Sequence, residues 1–268
     1  TNITVNGDVE KYLGNNSGGV AGYILSSSTL TNITHVGKVV TRGGIAGGVI
    51  GYLLSNSTLT GSTQTGDQVS GNSIVGGLVG ATSPGVVITN TSSNSTIWYR
   101  NSMYSSYGGL VGYLNGGTIT NSSAMGTVRG SNMNIGGLVG YANNSVISNS
   151  FATGSVDTHP SGANEYKVGG LIGHVQGTIS LTNCYATGNV DGVDRMGGLI
   201  GYILSGTTGT IDNNYATGTV TASANSYKLI GLDSSGALTI TDNYVLDNTC
   251  NAGAGGGCAE TNGGTQLI

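Results

Sequence analysis

A chain of 268 residues is long enough to bury a core, yet only 7% of it is charged, 50 residues are glycine and two are proline. That composition argues against an ordinary enzyme domain, and the regular interleaving of glycine with Val, Ile, Leu and Tyr excludes collagen and low-complexity disorder. The net charge is −4 with eight scattered Lys and Arg, and no apolar run reaches the roughly 18–20 residues that span a bilayer, so neither nucleic-acid binding nor membrane insertion is expected.

The chain opens inside a phrase, TNITVNGDV (1–9), that returns along most of its length. GGVAGY follows at 18–23 and TLTNITHVGKV at 29–39, and the same two phrases then alternate. Gly-Gly pairs begin at Gly18, Gly47, Gly76, Gly108, Gly136, Gly169 and Gly197, 28–33 residues apart. Between and after them stand TLTGSTQTG (58–66), VITNTSSNSTI (87–97), TITNSSAMGTV (118–128), VISNSFATGSV (146–156), SLTNCYATGNV (180–190), TIDNNYATGTV (210–220) and TITDNYV (239–245). Each period thus holds three short β-like segments, of the types GGLVGY, TITNS and ATGTV, separated by Gly, Asn and Ser turns.

One such unit cannot bury its apolar side chains alone, whereas stacked units can. The pattern predicts an all-β fold: a parallel, right-handed β-solenoid of about eight coils, each of 28–33 residues with three short strands, over residues 1–246. A Gly-rich segment, 247–268, follows. Within it Cys250 and Cys258 flank a flexible stretch and are expected to form a disulfide, the alternative being two unpaired thiols. Cys184 takes a position held elsewhere by Ser122, Ser150 and Asn214 and is read as a small side chain.

Stacking places equivalent residues over one another. Asn2, Asn32, Asn90, Asn121, Asn149, Asn183 and Asn213 form a column, broken at Gly61 and ended by Asp242, which is expected to pass amide hydrogen bonds from coil to coil. Phe151, Tyr185, Tyr215 and Tyr244 form an aromatic column expected inside the rod. Gly7, Gly37, Gly66, Gly126, Gly154, Gly188 and Gly218, with Asn94 in the same place, are expected to mark a left-handed corner. Two apolar rows follow each Gly-Gly pair, such as Leu110 and Val111; either a bulge turns both inward or one lies outside as an apolar stripe.

The G-G-[LVI]-[VIA]-G-Y phrase with its T-x-T-N-x-[YF]-A-T-G-x-V partner resembles the GLUG motif repeats of large bacterial surface proteins, over residues 1 to about 246. The resemblance implies secretion or cell-surface display, in proteins that include adhesins and relatives of immunoglobulin A peptidases. It carries no catalytic residue to transfer.

His35, His159 and His174 belong to no H-E-x-x-H pair, and no nucleophile elbow is present. No catalytic, metal or cofactor site is expected. Asp157, Asp191, Asp194 and Arg195 fall at related places in successive coils, which leaves a polysaccharide-active enzyme as a remote alternative. The expected function is non-catalytic: an extracellular structural or adhesive segment that associates with itself, end to end or laterally, or contacts a glycan or protein ligand at a cell surface. Candidate contacts are Trp98 and Tyr99, together with the T-x-T pairs Thr29 and Thr31, Thr58 and Thr60, and Thr118 and Thr120. These pairs form a flat hydroxyl-and-methyl lattice similar to the faces of some ice-binding solenoids, which makes ice binding the alternative function.

Overall fold

The computed structural model describes residues 1–11, 14–99, 105–131, 133–158, 166–222, 226–246, 250–252 and 264–267. All regular structure among them is strand, and every strand pair is parallel. About eight coils stack into a β-solenoid whose strands fall into four sheets along the rod.

One central coil shows the path. Ser106–Gly108 lies in an eight-stranded sheet, Val111–Asn115 and Thr118–Thr120 in a fourteen-stranded sheet, Ser123–Ala124 in a ten-stranded sheet and Val128–Gly130 in a nine-stranded sheet. The coil therefore has five strand segments, not the expected three, because each expected segment contains a corner. GGLVGY bends after Gly108, TITNS turns at Asn121, and AMGTV turns around Gly126. In Val139–Ser148 and Ile172–Thr182 the two segments of the largest sheet fuse into one long strand.

The bend in GGLVGY turns both apolar rows inward. The amides of Leu110 and Val111 both donate to the carbonyl of Leu138, at 2.9 and 3.0 Å, and the pairs at Leu78, Leu138, Leu171 and Leu199 repeat this in their own coils. Two successive amides sharing one acceptor cancel one step of strand alternation, as a bulge does. Leu110, Val111 and their equivalents are fully buried in one core, which also receives Leu114, Ile119 and Ala124.

The glycines of the phrase are required by close approach. A Cβ on Gly108 would collide with the carbonyl oxygen of Val111, and one on Gly137 with the carbonyl oxygen of Gly170 and, at 2.9 Å, with the Ala152 side chain. The third glycine lies directly on the neighbouring sheet: a Cβ on Gly140 would sit 2.7 Å from Tyr107 N, and one on Gly112 2.8 Å from Val75 C. This line of backbone-on-backbone contact separates a second core, where Val69, Ile97, Val128 and Val156 face Val75, Tyr107, Ile135 and Val168.

The left-handed corner lies at the asparagine column. Asn2, Asn32, Asn90, Asn121, Asn149, Asn183 and Asn213 have φ between 49 and 57°, Gly61 has 62° and Asp242 has 48°. Asn, Asp and Gly are the residues that visit this region at least cost. The other expected corner is not of this type. Gly7 and Gly37 have positive φ, but Gly66, Gly126, Gly154, Gly188 and Gly218 do not, and they are glycines because a Cβ would strike a carbonyl of the coil before, such as Gly126 O beneath Gly154. Ser95, not Asn94, lies under Gly126, and its hydroxyl donates to the Gly66 carbonyl.

Two strands of the C-terminal segment also join the stack: Cys250–Ala252 pairs with Val220–Ala222, and Gly264–Leu267 with Asn243–Leu246. Cys258 lies outside the described residues, and with it the expected Cys250–Cys258 bridge.

Backbone collision and backbone strain separate in a pair of substitutions. Gly137→Ala is expected to destabilise the fold by about 3 kcal/mol, because the added methyl forces two coils apart. Gly206→Ala, with φ of 78° and nothing within 4 Å of the new Cβ, should cost about 1 kcal/mol from conformation alone. Urea denaturation of both variants against the parent measures the difference.

Candidate functional site

The outward side chains of the largest sheet form the most regular surface. Their first column runs Thr29, Thr58, Val87, Thr118, Val146, Ser180, Thr210 and Thr239, and the second runs Thr31, Thr60, Thr89, Thr120, Ser148, Thr182, Asp212 and Thr241. All are exposed or half-buried, while Leu59, Ile88, Ile119, Ile147, Leu181 and Ile211 between them point into the core. The six threonines expected on this face are therefore together in one grid. Neighbours are about 4.8 Å apart between coils and about 6.7 Å apart along a strand. Thr120 and Ser148 hydroxyls approach to 3.4 Å, and Thr241 donates to Asp212 at 2.5 Å.

The asparagine ladder borders this grid. The Asn32 amide donates to Asn2 at 2.8 Å, Asn183 to Asn149 at 3.1 Å and Asn213 to Asn183 at 2.6 Å, all on the exposed surface. One residue further along, at the position where Cys184 is expected from sequence to be only a small side chain, lies a second, buried ladder. There the backbone amide of one coil donates to the side chain of the next: Ile33 to Ser62, Thr91 to Ser122, Ser122 to Ser150, Cys184 to Asn214 and Asn214 to Asn243, at 2.9–3.2 Å. The left-handed corner interrupts the strand ladder, and a buried amide without an acceptor is costly. The run of Ser, Thr, Cys or Asn directly after the corner residue, from Ser62 to Asn243, was the signal for this role.

Burial pushes the Cys184 thiol up to about 12, where it remains protonated and donates to the Thr182 carbonyl at 3.2 Å.

Two aromatic columns lie outside the two apolar cores. Phe151, Tyr185 and Tyr215 stack at 4.7 and 4.8 Å with interplanar angles of 2 and 4°, and Tyr215 is 37% exposed. The expectation of an interior column is corrected by alternation: Ser150 and Ala152 point inward, so Phe151 between them points out. The tyrosine of GGLVGY builds the other column, in which Tyr113, Tyr141, His174 and Tyr202 stack at 4.6–5.3 Å. Burial, with Lys167 and Arg195 adding to it, pushes His174 down to about 3, so this stack is uncharged at neutral pH. The Tyr141 hydroxyl donates to Gln176, and Asn143 donates to Asn115 at 3.0 Å beside the rings.

Trp98 is 38% exposed with the Arg129 guanidinium 5.1 Å from its ring centre, whereas Tyr99 is half-buried against the second core. Arg129 pairs with Asp157 at 3.6 Å, Asp191 follows Asp157 in the next coil, and Asp194 pairs with Arg195. His35 is buried between Gln64 and the Gly7 carbonyl, a satisfied core histidine, and His159 lies outside the described residues.

Comparison with known families places these coils. The family model of the GLUG motif matches residues 103–129, 131–157 and 164–191, three successive coils. The chain contains a GLUG-repeat region, and the coils before and after it continue the same strand pairing. No curated protein matches the chain.

Two substitutions test the ladders. Asn183→Val, which puts a β-branched residue in the left-handed region and removes two amide contacts, is expected to cost about 2 kcal/mol in denaturant unfolding, and Asn183→Gly about half as much. For Cys184, a thiol pKa near 12 in the fold against about 8.5 unfolded means that stability is complete below pH 8.5 and falls as pH rises toward 12. Relative to Cys184→Ser, the parent should lose about 2 kcal/mol between pH 7 and 10.

Proposed function

We propose that this GLUG-repeat solenoid is a non-catalytic structural and adhesive segment of an extracellular protein, secreted or held at a cell surface, that presents rigid side faces to a second copy or to a surface ligand. The observation that carries the reading is the continuous parallel pairing of all four sheets along the rod, with one register shift, between Asn143 and Ser145. Each coil is tied to its neighbours by backbone hydrogen bonds on every sheet, and most inward polar side chains of the corner column are engaged in ladders rather than gathered at one point. Such a stack resists bending and local opening, because opening one coil breaks bonds to both neighbours. Its stiffness and weak charge suit a spacer or contact module.

Lateral or end-to-end association and capture of a glycan or protein are the contacts expected of it. Trp98, exposed beside a mixed charge stripe, is the side chain best suited to ligand contact.

Electron microscopy across a concentration range, with binding of labelled chain to immobilised chain and to a panel of glycans, tests the proposal. Fibres, or retention on chain or glycan that Trp98→Ala weakens, support it. Monodisperse rods about 40 Å long that bind neither would remove the adhesive role, and turnover of a polysaccharide would replace the whole reading.

A further inference from the structure

The T-x-T grid is chemically more uniform than the fold requires. Stacking demands only that strands stay in register; it does not demand like residues on the outside. On the nine-stranded sheet the equivalent column passes through Ser70, Trp98, Arg129, Asp157 and Asp191, four residue types in five coils. On the grid, eleven of sixteen outward positions are Thr and two are Ser, and the exceptions are Val87, Val146 and Asp212. Valine keeps the shape and one methyl of threonine, so the contour continues through two of the three exceptions.

The face is also without charge over most of its length. From Thr29 to Thr182 neither column contains an ionisable side chain, so no charge imposes its own radial hydration shell. Threonine is stiff at χ1, which holds hydroxyl and methyl groups at fixed places before anything binds and reduces the ordering cost. What such a surface fits is a partner with the same two repeats, about 4.8 Å along the rod and about 6.7 Å across it, made of hydroxyl-sized donors and acceptors. An irregular protein partner has no use for that periodicity.

We propose that this face binds ice, ordering a layer of water whose oxygens are anchored by the threonine hydroxyls and caged over the methyls. No bond is made or broken. The activity is independent of the adhesive role proposed above, since it uses a different face from Trp98.

The test is thermal hysteresis, ice-crystal shaping and incorporation into a growing ice hemisphere, measured on the whole chain. The parent is expected to show all three. Thr60→Tyr combined with Thr120→Tyr, which raises bulk from the centre of the grid, should abolish them, while Thr187→Tyr on an exposed corner away from the grid leaves them intact; circular dichroism and unfolding midpoints establish that the variants are folded. A folded parent without hysteresis or ice incorporation overturns the proposal, as does full activity in the double variant. Retention of the parent on crystalline cellulose or chitin without adsorption to ice also overturns it, and assigns the lattice to a polysaccharide surface instead.

Discussion

The structure depends on one constraint: a parallel strand must hydrogen-bond to its own counterpart about 4.8 Å away, coil after coil. Every side chain then sits over its equivalent, so a residue acceptable in one coil must also be acceptable to its copies above and below. The GGLVGY phrase is the consequence written into sequence. Its first two glycines let the chain bend without striking its own carbonyls or the neighbouring coil, its two apolar residues share the inside of that bend, its third glycine lets two sheets touch through their backbones, and its tyrosine joins a column of rings outside.

The same constraint decides how polar groups are handled. A left-handed corner gives the coil a sharp turn but interrupts its ladder, and the two residues there solve complementary problems. Asparagine tolerates the backbone and links outward amides where water competes. The next residue points inward, where an unmet amide is expensive, and supplies an oxygen to the coil before it. Cys184 fills the place by donating its own thiol proton to a carbonyl while its amide uses Asn214, which is why a buried cysteine is compatible with a column of hydroxyls and amides.

Outside, the constraint turns each face into a repeating surface. What distinguishes one face from another is whether its chemistry varies. The stripe at Trp98, Arg129, Asp157 and Asp191 varies from coil to coil and suits recognition of something irregular, whereas the threonine grid hardly varies and suits something periodic. The stacked rings occupy an intermediate place, since their flat faces are spent on one another and mainly their edges meet solvent.

Period, strand type and parallel stacking were legible in the sequence because they are local and repeated: glycine pairs at near-constant spacing and T-x-T alternation declare a coil and its inward leucines and isoleucines. The asparagine column was legible for the same reason, as was the grid from Thr29 to Thr120. What the tertiary structure alone decided was direction. Which corner is left-handed, that each coil has five segments, that Phe151 points out while Leu110 and Val111 both point in, and that Cys184 belongs to a working ladder all follow from how one coil's carbonyls meet the next coil's amides. Those meetings join residues about thirty positions apart, and alternation read along a single strand changes sense at every corner it crosses.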